Sequence, residues 1–237
     1  MNGGKGNMEY LFILIVIATV ALNFYIKYEG FKKSTYQAAS GNSFWRTIFD
    51  KGNFGEYLTY VHLEKLEGHH RIMTNLYIPK KDGSTTEIDL IMIAQSGIYV
   101  FESKNYSGWI FGNEKSQYWT QTFPNGQKQR FYNPVSQNKG HINALKSILE
   151  VKNDDFFKSY IIFSERCTLK KVNVSSPNLV VMKRNALRKI IKREIEASPN
   201  LISISEVNQL ALWLKKYTLA DEEVKIAHIN GMNVRRS

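Results

Sequence analysis

The sequence predicts an α/β protein whose soluble part follows one membrane-spanning helix. Three observations carry that prediction. Segments with apolar residues at helical spacing alternate along the chain with short runs of β-branched and aromatic residues. Two of those runs, within residues 87–104 (EIDLIMIAQSGIYVFESK), flank a tight turn at Gln95-Ser96-Gly97 and form a central hairpin. Residues 10–26 (YLFILIVIATVALNFYI) are uncharged and almost continuously apolar.

The totals set the limits. A chain of 237 residues accommodates one well-cored domain with accessories. With 43% hydrophobic and 22% charged residues it has the composition of a globular protein and not of a disordered one. The net charge of +11 favours an anionic partner, either nucleic acid or an acidic membrane surface. A single cysteine, Cys167, excludes an internal disulfide and a cysteine-built metal site. It is read as a small packed residue in a reducing compartment.

The apolar run has tyrosines near both ends, as interfacial residues require, and a length at the short end of what spans a bilayer. Lys27, Lys32 and Lys33 follow it, against Lys5 before it, so the amino terminus is expected outside and the remainder in the cytoplasm. A cleaved signal peptide is the rival, with Thr19-Val20-Ala21 as a passable cleavage site, and a buried core helix is the third reading. Residues 31–50 read as a polar connector with a flexible point at Gly41-Asn42-Ser43. Within it, Phe44, Trp45, Ile48 and Phe49 begin a helix that packs on the domain or lies along the membrane.

Residues 53–66 form the first helix of the soluble part, with Phe54, Leu58 and Val61 as its apolar stripe. Glu56 falls in its first turn, where the helix dipole by itself explains a carboxylate. A strand over 71–78 stops at Pro79 before a turn at Lys81-Asp82-Gly83, and the central hairpin follows. From 109 to 130 aromatics alternate with polar residues (Trp109, Phe111, Tyr118, Trp119, Phe123), around a hairpin turn at Asn125-Gly126. They are read as packing and not as base-stacking platforms, although Lys115, Lys128 and Arg130 lie among them. Asn133 as N-cap and Pro134 at the first helical position open a helix to about Leu149, with Gln137, His141, Ala144 and Ile148 on one stripe. Strands over 159–164 and 178–183, a basic helix over 185–197, and a last helix behind the Ser203/Glu206 capping box complete the order.

The hairpin carries three charges in an apolar surround: Asp89, Glu102 and Lys104. Each needs a partner, a metal or an exit to solvent, because an unpaired buried ion costs several kcal/mol. Residues two apart share a strand face, so Glu102 and Lys104 point the same way. A two-residue loop brings Asp89 to that face as well, opposite Glu102 or Lys104, whereas a three-residue loop turns it away. Two carboxylates and a lysine on one face suit a hard divalent cation and a phosphate. An ordinary salt bridge at a hairpin end uses the same residue types. Glu-x-Lys also occurs at Glu150/Lys152 and Glu223/Lys225, so context and not spelling singles out Glu102/Lys104.

In this order the chain resembles the NERD (nuclease-related) domain, a branch of the PD-(D/E)XK restriction-endonuclease-like superfamily. The resemblance covers residues 52–164. Its blocks are Gly52-Asn53-Phe54-Gly55-Glu56, Glu87-Ile88-Asp89, the stretch from Gly97 to Tyr106 containing Glu102-Ser103-Lys104, and Asn133-Pro134-Val135-Ser136-Gln137. The proline of the superfamily name is absent, since Glu87 and Ile88 precede Asp89. The resemblance implies a restriction-endonuclease-like core of helix, three-stranded meander, helix and strand, with an added C-terminal strand and helices. It implies Asp89, Glu102, the Ser103 carbonyl and Glu56 as ligands of Mg2+, with Mn2+ as an alternative. Lys104 would orient or activate the water and Gln137 would contact it or a phosphate. The function implied is a membrane-anchored metal-dependent nuclease acting on DNA or RNA; the alternative is a tethered, non-catalytic nucleic-acid-binding or assembly module. The expected organisation is anchor 1–30, connector 31–50, nuclease-like core 51–165, C-terminal completion 166–220 and tail 221–237.

Overall fold

The computed structural model describes residues 3–80 and 82–219; the expected tail and Lys81 lie outside the described residues. The fold is mixed α/β and holds two mixed sheets. Helix α1 (Gly3–Lys33) contains the apolar run and continues past it by two turns. Its stretch from Met8 to Lys33 is long and apolar enough to cross a membrane, is exposed through its apolar run, and equally fits a signal sequence.

Residues 31–43 differ from the polar connector expected of them, whereas the helix expected from Phe44 to Phe49 forms and packs on the domain. Helices α2 (Tyr36–Ser40) and α3 (Phe44–Phe49) fold them back, and Phe31, Tyr36 and Phe44 enter the core with Tyr57 and Tyr60. The reason is aromatic content: Phe31 sits about 5.6 Å, ring to ring, from both Phe44 and Tyr57. Trp45 and Phe49 remain exposed, stacked on each other at 5.8 Å, with Phe24 of α1 beside both. The Asp50 side chain accepts from the Asn53 amide, so α4 (Lys51–Glu64) begins two residues earlier than its apolar spacing suggested. Glu56 is therefore in the second turn, beyond the reach of the first-turn dipole effect offered as its explanation.

The first sheet has the order β1-β2-β3-β7-β9. β1 (His70–Pro79), β2 (Thr85–Ala94) and β3 (Gly97–Lys104) form the antiparallel meander, and β7 (Phe157–Phe163) and β9 (Leu179–Lys183) add parallel strands. β3 is central and covered on both sides, as its near-continuous apolar run requires. Leu90, Met92, Tyr99 and Phe101 pack toward α4 and α6 (Leu187–Ala197). Ile91, Ile93, Ile98 and Val100 pack toward α5 (Pro134–Leu149) and α7 (Ile204–Leu214).

The second sheet was not anticipated as a separate layer. β4 (Gly108–Asn113), β5 (Tyr118–Thr122) and β6 (Lys128–Tyr132) form it with β8 (Cys167–Asn173), in the order β6-β5-β4-β8. Its inner face buries Ile110, Trp119 and Cys167 against Ile161 and Phe163 of the first sheet. The aromatics read collectively as packing divide here: Trp119 is buried, whereas Trp109, Phe111, Tyr118 and Tyr132 are exposed. β8 has too weak a pattern, CTLKKVN, to announce a strand; it exists because β4 offers a parallel edge.

Candidate metal and phosphate site at the sheet rim

The β2–β3 loop is Gln95-Ser96, since Ala94 pairs with Gly97 and Ile93 with Ile98. The same register carried one step beyond Leu90↔Phe101 sets Asp89 opposite Glu102. Glu102 and Lys104 then share the α5 side, while Ser103 points to the α4 side. There the Ser103 hydroxyl donates to Thr59 Oγ1 (2.9 Å), whose own proton goes to the Gly55 carbonyl. Buried Arg184 also donates to Thr59, from Nε at 3.2 Å, which bolts β3 to α4 from behind.

Glu102 is 1% exposed and both of its oxygens are occupied. Oε1 receives Lys104 Nζ at 2.6 Å and Oε2 receives His141 Nε2 at 3.1 Å. His141 in turn meets Thr86 Oγ1 through Nδ1 (2.8 Å), and Lys104 donates to Gln137 Oε1 at 3.1 Å. The side chains from α5 are in register because that helix is fixed at two points. Asn133 caps it and donates to the Glu114 and Ser116 carbonyls; Asn138 donates to the Val100 carbonyl and Ser159 Oγ. His141 was legible only as a stripe-mate of Gln137 four residues away; the contact with Glu102 is tertiary.

Asp89 stands where strand alternation inverts. Ile91 and Ile93 face α5, but so do Ile88 and Thr86, and Asn75, across from Asp89, takes φ 53°. Asp89 therefore lies just past the last β2–β3 pair, and among the described residues its side chain makes no ion pair or hydrogen bond. Burial first, then the charge of Glu102, push its pKa up to about 7, against the opposing pull of Lys104 and His141. Glu56 is likewise held well above the carboxylate range, by burial and then by Asp89, Glu87 and Glu102. Its Oε2 is buried without a hydrogen-bond partner. Burial also disfavours charge on Glu102, but Lys104 and His141 outweigh it and hold that carboxyl low. For Lys104, burial is outweighed by Glu102 and Asp89, so it is kept protonated.

Asp89 and Glu102 thus act on one ammonium, and Glu56 feels both carboxylates while one of its own oxygens is buried and unmatched. An all-oxygen, carboxylate donor set suits Mg2+ or Mn2+. Among the described residues no group of three His, Cys, Asp or Glu forms a ready-made metal cage. Mg2+ asks less, since it keeps several waters and binds through one or two carboxylates plus substrate phosphates. The residues present fit such an ion, with Ser103 able to offer only its carbonyl.

Residues 51–164 match the nuclease-related domain (NERD), and the chain belongs to that family. It is 33% identical over 184 residues to an uncharacterized protein of Bacillus anthracis, covering 77% of this chain and 84% of the relative. No solved structure matches significantly.

Proposed function

We propose that this protein is a membrane-anchored, Mg2+-dependent nuclease with a restriction-endonuclease-like core. The observation that carries the reading is the unbalanced carboxylate cluster of Glu56, Asp89 and Glu102, in which burial and mutual repulsion favour the arrival of a cation. Asp89, Glu102, Glu56 and the Ser103 carbonyl would hold the ion. When bound, it would supply Lewis-acid activation of the phosphodiester and a clamp for the developing charge. Lys104, kept protonated and aimed by Glu102 and Gln137, serves as a donor that orients the attacking water and not as its base. Gln137 spends its carbonyl on Lys104, which leaves its amide nitrogen for a phosphate oxygen. His141 fixes the second oxygen of Glu102.

Anchoring is supported by the exposed α1 and by Trp45 and Phe49, stacked at its base where interfacial aromatics belong. Lys27, Lys32 and Lys33 beyond the apolar run set the catalytic domain in the cytoplasm. A second reading, nucleic-acid binding without hydrolysis, is favoured by one observation: Glu102 is already saturated by Lys104 and His141. The deciding experiment incubates the full chain in nanodiscs with single- and double-stranded DNA and RNA, with and without Mg2+. Cleavage that needs Mg2+ and is lost in Asp89→Asn and Lys104→Ala is expected. Salt-sensitive binding with no turnover under any condition would establish the second reading instead.

A further inference from the structure

The outer face of the second sheet has no role in the proposed site. We infer that it is a docking platform for single-stranded nucleic acid. The strand register lays the face out in rows. One row crosses Arg130, Thr120, Phe111 and Lys171; the next crosses Lys128, Thr122, Trp109 and Thr168; Tyr118 and Tyr132 make a third. Four aromatic rings thus occupy the middle and one end of the face, each between 37% and 50% exposed. Lys128 and Arg130 line the β6 edge, Lys170 and Lys171 the β8 edge, and none of the four strands contains an acidic residue.

Such an arrangement is unusual for a face with only water to meet, because the inner face has its own rings, Trp119 buried and Phe131 half-buried against it. It has the two parts that bind a single strand: aromatic planes for unstacked bases and flanking cations for the phosphates. Trp109 and Phe111 are two residues apart on β4, about 6.6 Å, so each ring can take its own base. Cations already sit over rings, Arg130 4.7 Å from the Tyr118 centroid and Lys170 5.8 Å from that of Trp109. A base arriving on either ring moves the cation to the adjoining phosphate. A duplex buries its base faces in the stack and offers this platform nothing but charge.

The platform is built on the connections that make the candidate site. Three residues, 105–107, lead from Lys104 into β4, and β6 runs through Asn133 into the helix of Gln137 and His141. The inference therefore deepens the nuclease reading by naming single strands as its substrate class, yet binding here needs no metal.

The test measures binding of the full chain in nanodiscs to labelled oligothymidylate, oligouridylate and a duplex, by anisotropy in EDTA. Both single strands, or one of them, should bind more tightly than the duplex, the preferred one identifying DNA or RNA. Trp109→Ala and Phe111→Ala should each weaken single-strand binding about tenfold and leave duplex binding unchanged. Lys128→Gln with Arg130→Gln should lower the slope of affinity against salt. Unaltered melting temperatures certify that these surface variants fold. Equal or tighter duplex binding, or ring variants that bind like wild type, overturns the inference. So does loss of self-association in the ring variants, which would make the face a protein interface. Binding that survives with no cleavage defeats the nuclease reading alone; cleavage of single strands indifferent to the ring variants defeats the platform alone.

Discussion

At the scale of residues, the site is governed by an imbalance of charge. Asp89 has an ordinary carboxyl value of 3.8 and is raised to about 7 in the fold. Between those values the folded chain holds more protons than the unfolded one, so stability falls as pH rises through that window. Glu102 works in the opposite sense: its contribution is complete above the ordinary carboxylate range and is lost as pH falls through its lowered value. The metal-free protein should therefore melt several degrees lower at about pH 8 than at about pH 5.5, and Mg2+ should recover more at the higher pH. A melting temperature flat across that range, with or without Mg2+, would count against the cluster. Glu56→Gln removes one of the crowded charges and should raise the melting temperature of the metal-free protein near neutral pH while depressing cleavage. A role confined to folding would move the two together. His141→Ala leaves Glu102 Oε2 buried and unpaired, at a cost of about 1–3 kcal/mol, and should lower the denaturant midpoint accordingly.

At the scale of elements, the two-residue loop at Gln95-Ser96 sets which face β2 presents. One glycine inserted after Ser96 would slip the pairing by one residue and carry Asp89 away from Glu102. Cleavage should vanish in that variant, and full activity would show that the β2–β3 register is not what assembles the site. The second sheet has its own constraint at Gly112, where an added Cβ would lie 2.1 Å from the Trp119 ring. Trp119 stacks on Phe163 and ties the two sheets together. Gly112→Ala should lower the melting temperature markedly and expose Trp119, read as a red shift of its fluorescence; an unshifted spectrum would refute the account. That sheet was legible only in part. Asn125-Gly126 announced the β5–β6 hairpin, but inner and outer rings look alike in the sequence, because nothing in the neighbours of Trp109 (Gly108, Ile110) or Trp119 (Tyr118, Thr120) says which side meets the first sheet.

At the scale of the whole molecule, the end of the amino-terminal helix and the domain share a core. Phe31 and Tyr36, in the stretch expected as a connector, are buried with Tyr57, Tyr60 and Leu63. Deleting residues 1–43 removes both rings, and the loss of a buried Phe alone costs about 3–5 kcal/mol, so that fragment should unfold cooperatively at much lower denaturant than one lacking residues 1–30. Equal midpoints would mean that the domain does begin at residue 51. The full chain should resist alkaline carbonate extraction from membranes, as a helix spanning the bilayer does. Release into the supernatant would favour a cleaved signal sequence.

By itself the sequence determined the elements whose cause is local. The caps at Asn133 and Ser203, the even hairpin loop and the uncharged amino-terminal run depend on residues within a few positions of each other, and the order of acids and lysine along the strands carried the family. Tertiary structure alone decided that His141 and Gln137 meet Glu102 and Lys104, that Arg184 braces Ser103 through Thr59, that alternation inverts at Asp89, and that four rings of the second sheet face outward. Those outcomes depend on which helix covers which sheet face, and hydrophobic burial, which drives the covering, has no direction of its own until the layers have packed.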